Sequence, residues 1–343
     1  MTAIHQAFNM GQSIWLDYIN RELVASGGLQ EWINLGVTGV TTNPSIFENA
    51  IAKTADYDGA IKSMSAEGKS TAEIYEALTV QEVGAAADIM RQVYDRTNGK
   101  DGYVSLEVNP LLASDRDTTI SEAKRLFALL NRPNVMIKIP ATPEGIEALT
   151  ECIASNVNVN STLILSHSQY VDVAKAYLEG VKRGGKAASV ASVFVSRVDG
   201  AVDKLLAEKG ESSLCGRIAV DGIKLMYQEF RRLFAGASQV QRPLWASTGT
   251  KNKAYSDVKY VEELIGPDTV NTVPPATLEA FVNHGKAALT LETGLAEAEA
   301  DMRRLAEIGV DLNAVCSQLL ADGLKSFNAA FESLMSAIGS KAR

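Results

Sequence analysis

The chain has 343 residues, 46% of them apolar and 22% charged, which suffices for a large core, and no composition shift or Pro/Ser-rich linker divides it. A net charge of −8 with no concentrated Lys/Arg run argues against nucleic acid or an anionic membrane surface as a partner. The opening residues show no leader or transit pattern and no apolar run is long enough to span a bilayer, so one cytoplasmic domain over residues 1–343 is expected.

From the start, short apolar runs alternate with helical patterns, the mark of repeated β-α units on a parallel sheet. The first strand is expected at Ser13–Asp17, followed by a helix running through Gly27-Gly28. The next runs are Gly36–Thr42, Gly102–Val108, Asn134–Pro140 and Val157–Leu165. Ser189–Val195, Pro243–Ser247 and Thr269–Val273 complete the set. Eight strands with intervening helices predict a single (β/α)₈ barrel of the TIM type, with extra helices absorbing the length beyond the usual ~250 residues. An open doubly wound sheet is the alternative, but no glycine-rich phosphate turn follows the first strand.

Two stretches carry the excess. Residues 47–68 read as a helical excursion between the second and third strands. The tail from Pro275 reads as helices, with Leu305, Ile308, Val310, Leu312, Val315, Leu319, Leu320 and Leu324 at mostly helical spacing and Phe327, Phe331, Leu334 and Ile338 continuing the stripe. Such a stripe ordinarily means packing, and a terminal helix laid near the barrel mouth accounts for part of it.

Chemistry in a barrel gathers at the C-terminal ends of strands. Those ends offer Asp17, Thr42-Asn43, Glu107 with Asn109, Lys138, Asn160 with Thr162, Ser192 with Arg197, and Ser247-Thr248 with Thr250-Lys251. Lys138 stands out, because Val135, Met136, Ile137 and Ile139 around it make a run suited to a strand covered on both faces. A buried ammonium is costly unless paired or deprotonated, and a free amine near neutrality is a Schiff-base nucleophile. Two carboxylates converging on it, from Asp17 and Glu107, would make an acid/base site.

Each residue also has a plainer reading. Lys138 could snorkel or pair with a core carboxylate, and Asp17 could cap the helix after its strand. Asn43-Pro44-Ser45 could simply start a helix, and Asn160 or Thr162 could be satisfied between strands. Arg197 with Asp199 could be a surface ion pair, and Lys251 a solvated loop lysine. Cys152, Cys215 and Cys316 are too scattered for disulfides or zinc, and His5, His167 and His284 give no metal-ligand or Ser-His pattern; no metal site and no cofactor are expected.

Taken in order, Asp17 ending the first strand, Val40-Thr41-Thr42-Asn43-Pro44-Ser45, Glu107, Ile137-Lys138-Ile139-Pro140 and Asn160-Ser161-Thr162-Leu163 resemble transaldolase, in its longer bacterial type, over essentially the whole barrel. The resemblance implies a class I aldolase barrel with Lys138 forming a Schiff base with a ketose phosphate and Asp17 as the base at the donor C4 hydroxyl. It further implies Glu107 and Thr162 as holders of a proton-shuttling water, Asn43 and Asn160 as partners of substrate hydroxyls, and Ser192 at the dihydroxyacetone end. Arg197, Ser247 and Lys251 fall to the phosphate, although many relatives place an arginine where Lys251 stands, and lysine is a point charge without the arginine fork. The implied partners are sugar phosphates, acting on a monomer or homodimer. A fructose 6-phosphate aldolase is the alternative in the same chemistry, against which Phe194 weighs, because the free aldolases are expected to carry a tyrosine near that position. A barrel that binds sugar phosphates without turnover is the remaining one.

Overall fold

The computed structural model describes residues 1–343. Seven parallel strands are formed: β1 (Gln12–Leu16), β2 (Val104–Glu107), β3 (Val135–Pro140), β4 (Val159–Ile164), β5 (Ser189–Phe194), β6 (Gln241–Ala246) and β7 (Thr269–Val273). Their order is β1-β7-β6-β5-β4-β3-β2, which leaves a gap between β1 and β2.

The stretch expected as the second strand fills that gap in shortened form. Only Val40 bridges, to Leu16 on one side and Val104 on the other. Around it, Thr38 N and Thr41 N donate to Ile14 O and Leu16 O at 2.9 Å, while Val40 N and Ser105 N connect to Tyr103 O and Val40 O at 2.9 and 3.0 Å. The barrel therefore closes, as a (β/α)₈-type architecture, through a segment too short to count as a strand. Glycines explain the shortening. Gly36 sits at φ 113 and ends the preceding helix, and a Cβ on Gly39 would lie 2.5 Å from the Trp15 indole, so the backbone there is shaped to let Trp15 pack over it.

Strand ends also move. β1 stops at Leu16, so Asp17 stands just beyond it, its backbone N–H still donating to Val273 O at 2.9 Å. The helix expected through Gly27-Gly28 is two helices, Arg21–Ala25 and Gly28–Leu35, broken where Gly27 takes φ 88. β6 begins at Gln241, two residues before the expected start, and so includes a buried Arg242. That arginine donates to Asp101 Oδ1 at 3.0 Å and Ser13 Oγ at 2.9 Å, while Ser13 and the Trp15 indole N–H donate to Asp101 at 2.7 and 3.0 Å. This ion pair plugs the end of the barrel opposite the strand C-termini.

A contiguous apolar core runs through the whole structure. The 47–68 excursion is helical, as Pro44–Phe47 continued by a wide π turn at Glu48–Ala52 and then Asp58–Ala66. The last helix, Leu312–Lys341, lies as a strap across the C-terminal face of the barrel. Cys316 donates to Leu165 O at 3.1 Å near its start; Ser333 donates to Glu48 at 2.8 Å, and the Lys341 ammonium to Asp58 at 2.7 Å, near its end. Phe327, Phe331, Leu334 and Ile338 are buried by this docking, whereas Leu312, Val315, Leu319, Leu320 and Leu324 are half-buried. No helix is long and apolar enough to cross a membrane.

Candidate active site

β3 brings Lys138 into the barrel, 5% exposed. In the parallel register Glu107 of β2 and Asn160 of β4 flank it directly, so one layer of the barrel holds carboxylate, amine and amide side by side. The Lys138 ammonium donates to Thr42 O at 3.0 Å and lies 3.5 Å from Glu107 Oε2. It neither snorkels nor reaches bulk water. Burial pushes the Glu107 carboxyl up to about 7, against the downward pull of Lys138, so near neutrality this group exists in both protonation forms. The Glu107 oxygens and Thr162 Oγ1 are buried and accept no hydrogen bond from the protein. Beside Thr162, Leu163 takes a left-handed φ of 59 where the β4–β5 register shifts, and a leucine holds that conformation only where surrounding packing enforces it.

Asn160 is satisfied between strands: its amide donates to Ser105 Oγ at 3.1 Å, and its carbonyl accepts from Ser192 Oγ at 2.6 Å. Asp17 does not cap the following helix, because Asn20 does so by accepting from Leu23 N at 2.8 Å. Its carboxylate instead accepts from Thr41 Oγ1 at 2.7 Å. Burial raises its pKa, opposed by the Lys138 charge, the Thr41 hydrogen bond and the Arg197 charge. Asn43 does cap the Pro44–Phe47 helix, accepting from Ile46 N at 3.0 Å, which leaves its amide N–H groups free.

Arg197 opens the helix Ser196–Glu208 after β5 and does not pair with Asp199, which accepts from Ala219 N at 2.8 Å and Tyr260 Oη at 2.9 Å. The guanidinium has no carboxylate or hydrogen-bond partner in the protein. It stands between two rings, 4.9 Å from Phe194 and 5.9 Å from Phe327 of the strap, and burial lowers its pKa despite Asp17 and Glu107. Ser247 follows β6 at φ 57, its hydroxyl 3.1 Å from that of Ser196. Lys251 is exposed as a residue, yet partial burial of its ammonium, and then the Arg197 charge, lower its pKa.

Asp17, Asn43, Lys138, Ser192, Arg197, Ser247 and Lys251 line one cavity of about 150 Å³, with Thr41, Phe194, Thr272 and Phe327 in its wall. Glu107, Asn160 and Thr162 do not reach that wall; Glu107 and Asn160 flank Lys138 within the sheet, and Thr162 registers with Pro140 two residues further along β3. A larger apolar cavity of about 550 Å³, lined from Leu165 to Cys316, shares Phe194 but brings no amine or paired charges together. Thr41, Thr272 and Phe327 were not singled out as site residues from sequence; Thr41 sits in the Thr-Thr-Asn-Pro-Ser motif, whereas nothing local marks Thr272.

A buried lysine, the Asp17 carboxylate and an unpaired guanidinium around one small cavity, with the Glu107 carboxyl behind the lysine, suit covalent catalysis on an anionic carbonyl compound. The family model described as Transaldolase/Fructose-6-phosphate aldolase matches residues 14–338. The chain belongs to that family. It is 41% identical to "Transaldolase" of Trichodesmium erythraeum, over 98% of this chain and 96% of the relative. It is 42% identical to "Transaldolase 1" of Streptomyces coelicolor, over 98% and 94%, and 42% identical to "Transaldolase" of Neisseria meningitidis, over 98% and 99%. The family and these relatives support transaldolase function, that of a transferase, for the chain.

Proposed function

We propose that the chain transfers a dihydroxyacetone unit from sedoheptulose 7-phosphate or fructose 6-phosphate to an aldose phosphate, in the non-oxidative pentose phosphate pathway of the cytoplasm. Lys138 Nζ adds to the ketose C2 carbonyl, and loss of water, with Glu107 and Thr162 handling the protons, leaves an iminium. Asp17 takes the proton of the C4 hydroxyl; the C3–C4 bond breaks, its electron pair flows into the iminium, and the aldose phosphate departs. The enamine left on Lys138 adds to the acceptor aldehyde, Asp17 returns its proton, and water releases the new ketose. Asn43, Asn160 and Ser192 are assigned to substrate hydroxyls, and Arg197, Ser247 and Lys251 to the phosphate. The cycle needs no metal or organic cofactor.

The observation that carries this reading is a lysine buried inside a strand, 3.5 Å from Glu107, whose cavity also holds Asp17 and an unpaired Arg197. Incubated with fructose 6-phosphate and borohydride, the protein is expected to gain the mass of a reduced three-carbon adduct on Lys138, and Lys138→Met to gain none. Absence of any adduct on the unaltered protein refutes the lysine mechanism. Product formation without an added aldose phosphate would make the protein a free aldolase.

A further inference from the structure

Asp17 has two carboxylate oxygens, and the protein treats them differently. Oδ1 accepts from Thr41 Oγ1 at 2.7 Å, and Thr41 Oγ1 lies 2.5 Å from Thr272 Oγ1. A hydroxyl has one proton to give. That of Thr41 is committed to an acceptor that cannot donate when ionised, so the second contact is made by the Thr272 proton. The chain of donation runs Thr272 to Thr41 to Asp17 Oδ1, and Oδ2 accepts no hydrogen bond from the protein.

Both threonines are almost fully buried, at 1% and 2% exposure, and they approach Asp17 from opposite neighbours of β1. Thr41 belongs to the segment that closes the barrel, and Thr272 to β7, where it registers with Trp15. The end of β7 is itself held, because Thr248 donates to Thr272 O at 2.9 Å. The relay therefore stands on one strand residue, Thr272, and on Asp17 and Thr41, whose backbone N–H groups donate to Val273 O and Leu16 O at 2.9 Å.

We infer that Thr41, backed by Thr272, is a positioning residue that fixes the Asp17 carboxylate so that Oδ2 is the oxygen that exchanges a proton with the substrate hydroxyl. The inference rests on the proposed role of Asp17 as base. The charged groups around Asp17 are Lys138 on β3 and Arg197 on the helix after β5, with Glu107 beyond Lys138 and Lys251 across the same cavity. None of them touches Thr41, so its hydroxyl can be removed without altering a charge. A lost charge-assisted hydrogen bond leaves the carboxylate freer to rotate and easier to protonate.

Thr41→Val keeps the shape and removes the hydroxyl, Thr41→Ser keeps the hydroxyl and removes the methyl, and Thr272→Val breaks only the outer link. For Thr41→Val, imine formation is expected to persist, but the borohydride-trapped adduct shifts from the three-carbon unit toward the uncleaved ketose. Its kcat falls on the order of tenfold to a hundredfold, KM stays within about threefold, and the acid limb of the kcat profile moves to higher pH. Thr41→Ser restores most of kcat, and Thr272→Val shows a smaller shift of the acid limb in the same direction. A Thr41→Val protein that cleaves like the unaltered one with an unmoved acid limb overturns the inference and leaves the lysine mechanism standing. So does a Thr41→Ser protein as impaired as Thr41→Val, since the methyl would then matter instead of the hydroxyl.

Discussion

Replacing Glu107 by glutamine is expected to make the protein more stable and nearly inactive. The carboxyl titrates at about 7 in the fold against an ordinary 4.5, because burial outweighs the attraction of Lys138. The folded chain thus holds that proton more tightly than the unfolded chain, and stability falls as pH rises from 4.5 through about 7. At about 1.4 kcal/mol per pH unit, ionising Glu107 costs the fold on the order of 3 kcal/mol above that window. Glutamine reproduces the neutral acid in size and removes the cost. At roughly 2.1 cal/mol/K of unfolding entropy per residue, 3 kcal/mol corresponds to about 4 °C in Tm for a chain of 343 residues. Calorimetry of both proteins at about pH 8 and about pH 5 tests it, the gain at the lower pH shrinking to under about 1 kcal/mol. Transfer activity is expected to fall by about 10²-fold or more if Glu107 moves protons. A Glu107→Gln protein less stable than the parent at pH 8, or an offset equal at both pH values, refutes the reasoning, because the ion pair with Lys138 would then outweigh the burial of the acid.

Two further substitutions probe the barrel from opposite ends. Asp101→Ala strands the buried Arg242 guanidinium at the base and is expected to cost about 3–5 kcal/mol in urea unfolding while leaving KM unchanged; a loss under ~1 kcal/mol would mean that water solvates the arginine. Phe327→Ala removes the ring 5.9 Å from the Arg197 guanidinium and is expected to weaken competitive inhibition by inorganic phosphate about two- to thirtyfold. Unchanged inhibition in Phe327→Ala would show that Phe194 alone positions the arginine.

Most of the barrel was legible because its strands are buried on both faces, so each reads as an apolar run wherever its neighbours lie. The second strand is shorter than its pattern, since Val37 and Val40 suggest a run while Gly36 and Gly39 answer to a helix end and to Trp15, contacts that local pattern does not express. The start of β6 is hidden for the converse reason: Gln241 and Arg242 look like loop until Asp101, far away in the chain, supplies the partner that lets an arginine be buried. At the site, Lys138 was visible as a charge interrupting an aliphatic strand. The surface ion pair that was the plainer alternative for Arg197 does not form, because Asp199 is taken by Ala219 and Tyr260.

By itself the sequence determined the strand-helix alternation, the aliphatic run that Lys138 interrupts and the family motifs, because each depends on residues close together in the chain. Only the tertiary structure decided that Thr272 meets Thr41, that Asn160 joins Ser105 to Ser192, and that Phe327 of the strap faces Arg197. These pairings follow from barrel closure and helix docking, which join residues from strands and helices remote in the chain, and periodicity along one strand carries no information about which side chain closes the gap across a ring of eight.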